Sequence, residues 1–310
     1  MVDSAMPVEL ELDTRLRAAA FDHLTRLVAA SPDGSVRSRD VNAFEFEGRR
    51  MPLVVQTGIW KPAALDAALS IRTTFTPPSQ LPPYVDDLGL DGLIRYKYRG
   101  TDPEHSDNRA LRTAMARQLP LAYFVGIGKG VYVAQVPAWP VWEDQERGEF
   151  AVAVDEGQRL LDRRASAQLS ATQRAYVERL TKLRLHQPVF RARVLRAYAE
   201  ICAMCGLRHP ELLDAAHILP DGHPLGLPVV PNGLSLCKIH HAAYDRNILA
   251  VRPDLGLEVR GDVLAETDGP MLRHGLQDLQ GRRLTVPRAI DAQPDRDRLA
   301  ERYELFRRAG

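Results

Sequence analysis

The stretch Cys202–Asn247, CAMCGLRHPELLDAAHILPDGHPLGLPVVPNGLSLCKIHHAAYDRN, decides how this chain is read. The chain holds three cysteines, and all of them fall here. Cys202 and Cys205 form a C-x-x-C pair, and further on Cys237 and His240 form a C-x-x-H pair. That two-plus-two spacing closes a tetrahedral zinc shell, so a structural Zn is expected on Cys202, Cys205, Cys237 and His240. Between the pairs, LLDAAHIL is a short apolar run that reads as a strand ending at His217, and GLSLC reads as the return strand. KIHHAAYDRN reads as a helix with Asn247 near its end. His240 and His241 are neighbours and therefore point about a hundred degrees apart on that helix. One can face the zinc while the other faces a separate site.

A His at the end of one apolar run, an Asn before the second and a His just after the second ligand pair resemble the HNH nucleases of the ββα-metal fold. The resemblance implies that His217 is the general base, that Asn232 orients or supports it, and that His241 binds a catalytic divalent cation of the Mg or Mn class. The chemistry is coherent. Phosphodiester hydrolysis needs a base to deprotonate water and a cation to neutralise the charge growing on the scissile phosphate. One position departs from the family pattern: where many members carry an Asp or His directly before the base, this chain has Ala216. Asp214, two residues earlier and on the same face of a strand, is the substitute ligand, with His223 and Asp245 as further helpers. The competing reading of the cysteines is a zinc knob without activity, which would have no need of His217, Asn232 and His241. The competing reading of Asp214 is a turn cap at a strand start.

At 310 residues the chain is long enough for two domains, each with its own core. The formal net charge is +1, which argues against indiscriminate coating of nucleic acid but hides a local asymmetry. Between Arg159 and Arg208 there are 11 Lys and Arg against three acids, a plausible phosphate-contacting surface. Arg184, Arg191 and Arg193, in the lead-in to the HNH core, are the expected DNA-backbone contacts, although a solvated helix face is the default for any one of them. RLHQPVFRARVL also resembles the lead-in before HNH cores in bacterial restriction endonucleases. No apolar run approaches a membrane span, and the start MVDSAMPVELELD is no signal peptide. A cytoplasmic protein with no membrane partner is expected, its cysteines reduced and holding metal.

Ahead of the zinc stretch, Asp13 and Thr14 precede apolar residues at helical spacing and read as the N-terminal cap of an amphipathic helix. FEFEG, RMPLVVQ and LSIRTTF read as strands, as do LPLAYFVGI, VYVAQVPAWPVW and EFAVAV. Within this β-rich half, Gly58–Ile59, Leu69–Ser70–Ile71, Tyr84, Asp86–Asp87, Gly92 and the Tyr98-x-Gly100 run look like the SRA domain. The resemblance covers 58–154. It implies a β-barrel that flips a modified cytosine out of duplex DNA, with Tyr84 and Tyr98 as stacking rings and Asp87 reading the cytosine amino group. A flipped base needs flat walls and few polar readers, so the residue types suit the task. The spacing from Gly92 runs one residue long, which leaves Tyr96 as the alternative to Tyr98. The plain reading makes these tyrosines packed strand aromatics and the acids turn caps. Trp139 and Trp142 read as core, and Asn108 and Arg109 as a helix start or a backbone contact.

After Asp155 the composition turns rich in Ala and Arg. Ser170 and Gln173 make a capping box for a helix to about Leu185, and Pro188 opens a second helix. Past Asn247, ILAVRPDLGLEVRGDVL gives two short strands, LQGRRLTVP another, and PDRDRLAERYELFRR a terminal helix with Leu299, Tyr303 and Leu305 or Phe306 inward. The expected fold is α+β: an SRA-like β-barrel with flanking helices over 1–156, then a helical linker and a zinc-stabilised ββα-metal HNH domain over 157–310. The expected activity is endonucleolytic hydrolysis of double-stranded DNA carrying 5-methylcytosine or 5-hydroxymethylcytosine, by a chain that pairs as a homodimer. The alternatives are an HNH enzyme that reads phosphorothioate or unmodified DNA, a nonspecific nuclease whose front domain binds a protein, and a zinc-containing DNA-binding regulator without catalysis.

Overall fold

The computed structural model describes residues 8–80 and 88–309. The chain divides into two compact units, residues 1–76 with 82–189, and residues 77–81 with 190–310. Both mix helices and strands, an α+β arrangement.

The first unit opens with α1 (Val8–Ala29). Its buried Leu16, Ala20 and Leu24 recur at one-turn spacing and pack with Val36, Phe44, Leu69 and Phe124. The helix begins ahead of Asp13, so Asp13 is not its cap. Asp13 lies inside the helix, buried, with Oδ1 2.6 Å from Arg17 Nε one turn on. Arg17 also donates to the carbonyls of Ala68 (2.9 Å) and Pro120 (2.7 Å). A buried guanidinium needs such partners, and that need overrides the capping preference of an Asp at this position.

There follow β1 (Ser35–Arg37), α2 (Ser38–Val41), β2 (Glu45–Phe46), β3 (Arg49–Arg50), β4 (Ile59–Trp60), β5 (Ser70–Arg72), β6 (Ile94–Lys97), α3 (Ser106–Ala116), β7 (Leu121–Gly128), β8 (Val131–Asp144) and β9 (Glu149–Ala153). β2 and β3 form a small separate hairpin turned by Glu47 and Gly48, both at positive φ. The main sheet runs β4-β5-β7-β8-β9-β6, with β1 also on β8. β8 curls it. Its first part pairs with β7 and its second with β9, with a register shift between Pro140 and Trp142, so the sheet turns into a half-barrel. β5 and β7 are parallel, and the chain between them makes the crossover through β6 and α3.

RMPLVVQ does not become a strand beyond Arg50. Its backbone is satisfied elsewhere: the Asn42 carboxamide accepts from the amides of Leu53 (2.8 Å) and Val54 (2.9 Å) and donates to the Val54 carbonyl (2.9 Å). Ser70 Oγ donates to the Leu53 carbonyl. With those groups taken, no ladder is needed.

Two helices, α4 (Arg163–Gln168) and α5 (Ala171–Thr181), follow in this unit, and a wider helical turn over Lys182–His186 continues from α5. The Ser170–Gln173 capping box is formed in both directions. Leu161, Leu169 and Val177 pack with Leu93, Trp139 and Ala151. Beneath them the buried Gln158 side chain accepts from the Val154 amide and donates to Val177 O and Thr181 Oγ1, each at 2.9 Å. Thr181 Oγ1 in turn donates to Gly92 O. Gln158→Ala strands these buried groups and is expected to cost about 3 kcal/mol. Chemical denaturation of the variant beside the parent measures it.

The second unit comprises most of α6 (Gln187–Ala197), then β10 (Leu213–His217), β11 (Gly233–Cys237), α7 (Lys238–Asp245), β12 (Leu249–Val251), β13 (Leu257–Val259), α8 (Gly261–Ala265), α9 (Pro270–Gly275) and α10 (Arg296–Ala309). β10 and β11 pair antiparallel from Leu213↔Cys237 to His217↔Gly233, and α7 follows at once. This ββα unit shares a core with Phe190 and Val194 of α6, Tyr198, and Leu299 of α10. LQGRRLTVP forms no strand. It touches the β12–β13 hairpin through the Gly256–Arg283 bridge and the Leu257 N to Arg282 O bond of 2.7 Å. In α10, Leu299 and Phe306 are buried, Leu305 is exposed, and Tyr303 donates its hydroxyl to Glu258.

Candidate active site and zinc centre

Cys202 and Cys205 sit on a tight knuckle. Gly206 N donates to Cys202 O and Cys202 N to Leu207 O, both at 2.9 Å, and Gly206 takes a φ of +75° that suits glycine. Cys237 ends β11 and His240 lies in the first turn of α7. The four ligand atoms lie within 4.8 Å of one another. His240 Nδ1 is 3.4 Å from Cys202 Sγ and 3.3 Å from Cys237 Sγ. Tetrahedral zinc bonds to sulfur and nitrogen put such edges at about 3.5 Å. The other ring nitrogen, Nε2, lies 2.8 Å from Gly275 O and donates to it, which leaves Nδ1 free to bind metal. The donor set and its outer partner therefore fit a structural zinc.

The next residue on α7, His241, points elsewhere. Its Nδ1 is 3.6 Å from Asp214 Oδ2 and its Nε2 is 3.3 Å from Asp245 Oδ2. The two carboxylates raise the His241 pKa to about 9 against the opposing effect of burial. Asp214 also receives Lys238 Nζ at 2.9 Å, with Arg191 Nε 3.8 Å away. Burial alone would raise the Asp214 pKa, but hydrogen bonds from His241 and Lys238 hold it well below the usual carboxylate range. Asp245 on Nε2 leaves Nδ1 and Asp214 converging, so Asp214 and His241 together could hold a divalent cation. His223 is not part of this group: its Nε2 pairs with Glu301 at 3.0 Å and its Nδ1 accepts from the Leu225 amide.

His217 closes β10. Its ring stacks on Phe190, centroids 4.1 Å apart and planes 17° apart, and its Nε2 is buried with no hydrogen-bond partner. Burial lowers its pKa, and the charges of Asp221, His241 and Asp245 reach it. Asn232 is fully buried and makes no bond to His217. Its Oδ1 accepts from Leu219 N (2.9 Å), while its Nδ2 donates to Leu219 O and Leu227 O (3.0 Å each). It pins the loop that leaves the His217 strand.

Phe190 and Gly233 have no signature in the sequence. Gly233 stands opposite His217, and a Cβ there would lie 2.5 Å from Val194 Cγ2 and 2.9 Å from Phe190 Cζ. Only glycine lets α6 come close enough for the Phe190 ring to lie on the imidazole. Gly233→Ala is expected to cost about 2 kcal/mol by overpacking. It should also lower the cleavage rate by displacing Phe190, which denaturant midpoints and initial rates measured together will show.

The remaining expected site residues are scattered. Arg193, expected at the DNA backbone, is instead buried and donates to the carbonyls of Pro77 (2.7 Å), Gln80 (3.1 Å) and Pro78 (3.3 Å). Arg191 is partly buried and donates to Pro210 O (2.8 Å) and Leu213 O (2.9 Å), holding the start of β10. Arg184 is more than half exposed and pairs with Asp155 at 3.2 Å. Tyr84 and Asp87 lie outside the described residues. Tyr98 is half-buried beside Phe150, and its hydroxyl donates to Glu143, a carboxylate also held by Arg112. Burial and Glu143 push the Tyr98 pKa up to about 12. Tyr96, the alternative ring, is buried with its hydroxyl on Arg72 O at 3.1 Å. Asn108 is buried and bonds the 99–102 turn, while His105 caps α3 by accepting from Asp107 N.

Residues 202–252 match the family model described as HNH endonuclease. The chain carries an HNH endonuclease domain. By class it is a DNA endonuclease, and its DNA partner follows from that domain. Among solved structures it is similar to one described as "Modification dependent TagI restriction endonuclease", at 18% identity over 81% of this chain and 85% of that one. The TM-score of 0.30 is too low for that likeness to carry an argument. No curated protein gives a significant match. No helix among the described residues is long and apolar enough to cross a membrane.

Proposed function

We propose that this HNH enzyme is modification-dependent: a reader over 1–156 extrudes 5-methylcytosine or 5-hydroxymethylcytosine, and the nuclease half over 157–310 hydrolyses a nearby phosphodiester bond. The observation that carries the nuclease half is the His217 imidazole. It is kept neutral by burial, stacked on Phe190, offers a partnerless Nε2, and lies within electrostatic reach of His241 and Asp245.

His217 takes the proton of the attacking water through that nitrogen. Asn232 fixes the loop behind it, and Asp245 orients His241. Asp214 and His241 would hold a Mg- or Mn-class cation, which supplies neutralisation of the charge developing on the scissile phosphate. Cys202, Cys205, Cys237 and His240 would hold zinc, which would tie the Cys202–Cys205 knuckle to the end of β11 and the start of α7. Arg184, on the exposed side of the lead-in, is the proposed phosphate contact, and Arg191 acts by placing Asp214.

Support for the reader comes from the SRA-like residue pattern, from a sheet curled into a half-barrel, and from Tyr98, whose hydroxyl is anchored while its ring stays partly exposed. Tyr84 and Asp87 complete the proposed pocket. Tyr96 is withdrawn from it by its burial. Cutting both strands requires two active sites, so the working form is a homodimer on DNA. Cleavage of defined oligonucleotides carrying 5-methylcytosine, 5-hydroxymethylcytosine, phosphorothioate or no modification tests the reader: cutting only of phosphorothioate DNA, or equal cutting of all, would replace it.

The lowered His217 pKa has a consequence for pH. The base form dominates above a pKa that lies below the ordinary 6.5. Initial cleavage rates at saturating cation should therefore rise with pH along a limb centred below 6.5 and flatten above it. Because the folded chain binds this proton more weakly than the unfolded chain, the same group costs stability as pH falls through 6.5 towards the folded value. A limb centred well above that point would assign the base to another group.

A further inference from the structure

We infer that the first compact unit, which holds the proposed reader together with α4 and α5, carries a second DNA-backbone site, separate from the nuclease centre, in the cleft between β6, the β8–β9 turn and α4–α5; the inference rests on the DNA-binding role proposed above. The cleft has a volume of about 570 Å³. Its lining holds five cations, Arg95, Lys97, Arg147, Arg163 and Arg174, against the carboxylates of Asp91 and Glu149. For a chain whose net charge is +1, that is a strong local excess.

The cations divide into two groups by what holds them. Arg95 is fixed in the wall: it bonds Asp91 at 2.7 Å, lies 3.7 Å from Glu149, and its guanidinium sits 4.4 Å from the Trp142 ring centre. Trp142 is itself fixed, donating Nε1–H to Ser166 Oγ at 3.1 Å. Lys97 is paired with Glu149. These contacts neutralise the floor and make it rigid. Arg147 and Arg174 differ, because both are exposed and neither has a carboxylate partner among the described residues. Arg163 is intermediate, exposed but 3.3 Å from Asp144.

Two exposed guanidiniums without a carboxylate partner among the described residues line one cleft and offer it the positive charge that phosphate groups attract. A phosphodiester strand is the occupant this chemistry selects. An acidic peptide would also bring carboxylates, but the nuclease domain supplies DNA to this chain in every turnover. Backbone contacts here would set the register of the duplex on the reader without reading sequence. They would also localise counterion release on the unit that has no catalytic role.

The test is a salt titration of binding between full-length His217→Ala protein and a fluorescent duplex with one 5-methylcytosine, repeated with Arg147→Gln/Arg174→Gln and Arg147→Lys/Arg174→Lys added. Both arginines are exposed, so folding is not at risk, and a thermal scan confirms it. The Gln pair should lower the slope of log K against log salt by about 1.8 and weaken binding by about tenfold at moderate salt, while the Lys pair keeps the slope. An unchanged slope and affinity in the Gln pair, with the His217→Ala parent binding normally, overturns this site and leaves the reader intact. Equal loss in the Lys pair also overturns it, since charge would then not be the cause. A parent that binds no duplex at any salt overturns the reader reading itself. Inorganic phosphate that competes as well as the duplex reduces the cleft to a simple anion site and removes the DNA-backbone assignment.

Discussion

His217→Ala is expected to lower cleavage by about a thousandfold while leaving the fold and DNA binding in place. A positioned general base contributes a factor of this order to a proton transfer, and burial keeps the His217 imidazole in its base form within reach of the His241 charge. Stability should change little, because the ring makes no hydrogen bond through Nε2 and its main contact is the stack on Phe190. Single-turnover cleavage at saturating cation, with binding measured on the same preparation, separates the two effects. Phe190→Ala should reproduce part of the loss, since the imidazole would then be free to rotate and to meet water.

The second large effect is expected at the zinc centre. Cys237→Ala removes a ligand that also ends β11 and precedes α7, the helix that carries His241. Structural zinc contributes on the order of 10 kcal/mol of binding free energy that is available only to the folded site. That is comparable to the whole stability of a typical domain. The second unit should therefore lose its cooperative unfolding transition, bound zinc should fall from about one equivalent to none, and cleavage should vanish with it. Metal analysis and calorimetry report this directly. A strong chelator should act on the parent in the same way, and calcium or magnesium should not restore the transition.

The contrast between the two halves of the site explains what the sequence could reveal. The zinc quartet is a short-range pattern: two pairs at fixed spacing place four donors on one knuckle and one helix start, so residue order alone carries the geometry. The same holds for the ββα order, because the runs around His217, Leu234 and His240 are short and bounded by turn residues. Asp214 was legible as a residue on the right strand, but its partners Lys238, Arg191 and His241 come from three different elements and appear only in the fold. Phe190 is a different case. A Phe in an amphipathic helix looks like any core residue, and its role depends on Gly233, which permits the close approach.

The misplaced features share a cause. Arg193 sits in a basic run that reads as a solvated face, yet three carbonyls of the 77–80 segment draw it inward. Asp13 looks like a cap, yet buried Arg17 holds it within a longer helix. RMPLVVQ alternates and is apolar enough for a strand, yet the Asn42 carboxamide takes the backbone groups a ladder would use. In each, a specific polar contact made in the fold outweighs a local preference, and local preference is all that a pattern reading can weigh.

The most direct test of the central claim is cleavage of three otherwise identical plasmids, carrying cytosine, 5-methylcytosine or 5-hydroxymethylcytosine, in Mg or Mn with His217→Ala alongside. The account predicts that only modified plasmids are cut and that the variant cuts none. Equal cutting of all three by the parent would contradict modification dependence, and cutting by His217→Ala at the parent rate would contradict the assignment of the base.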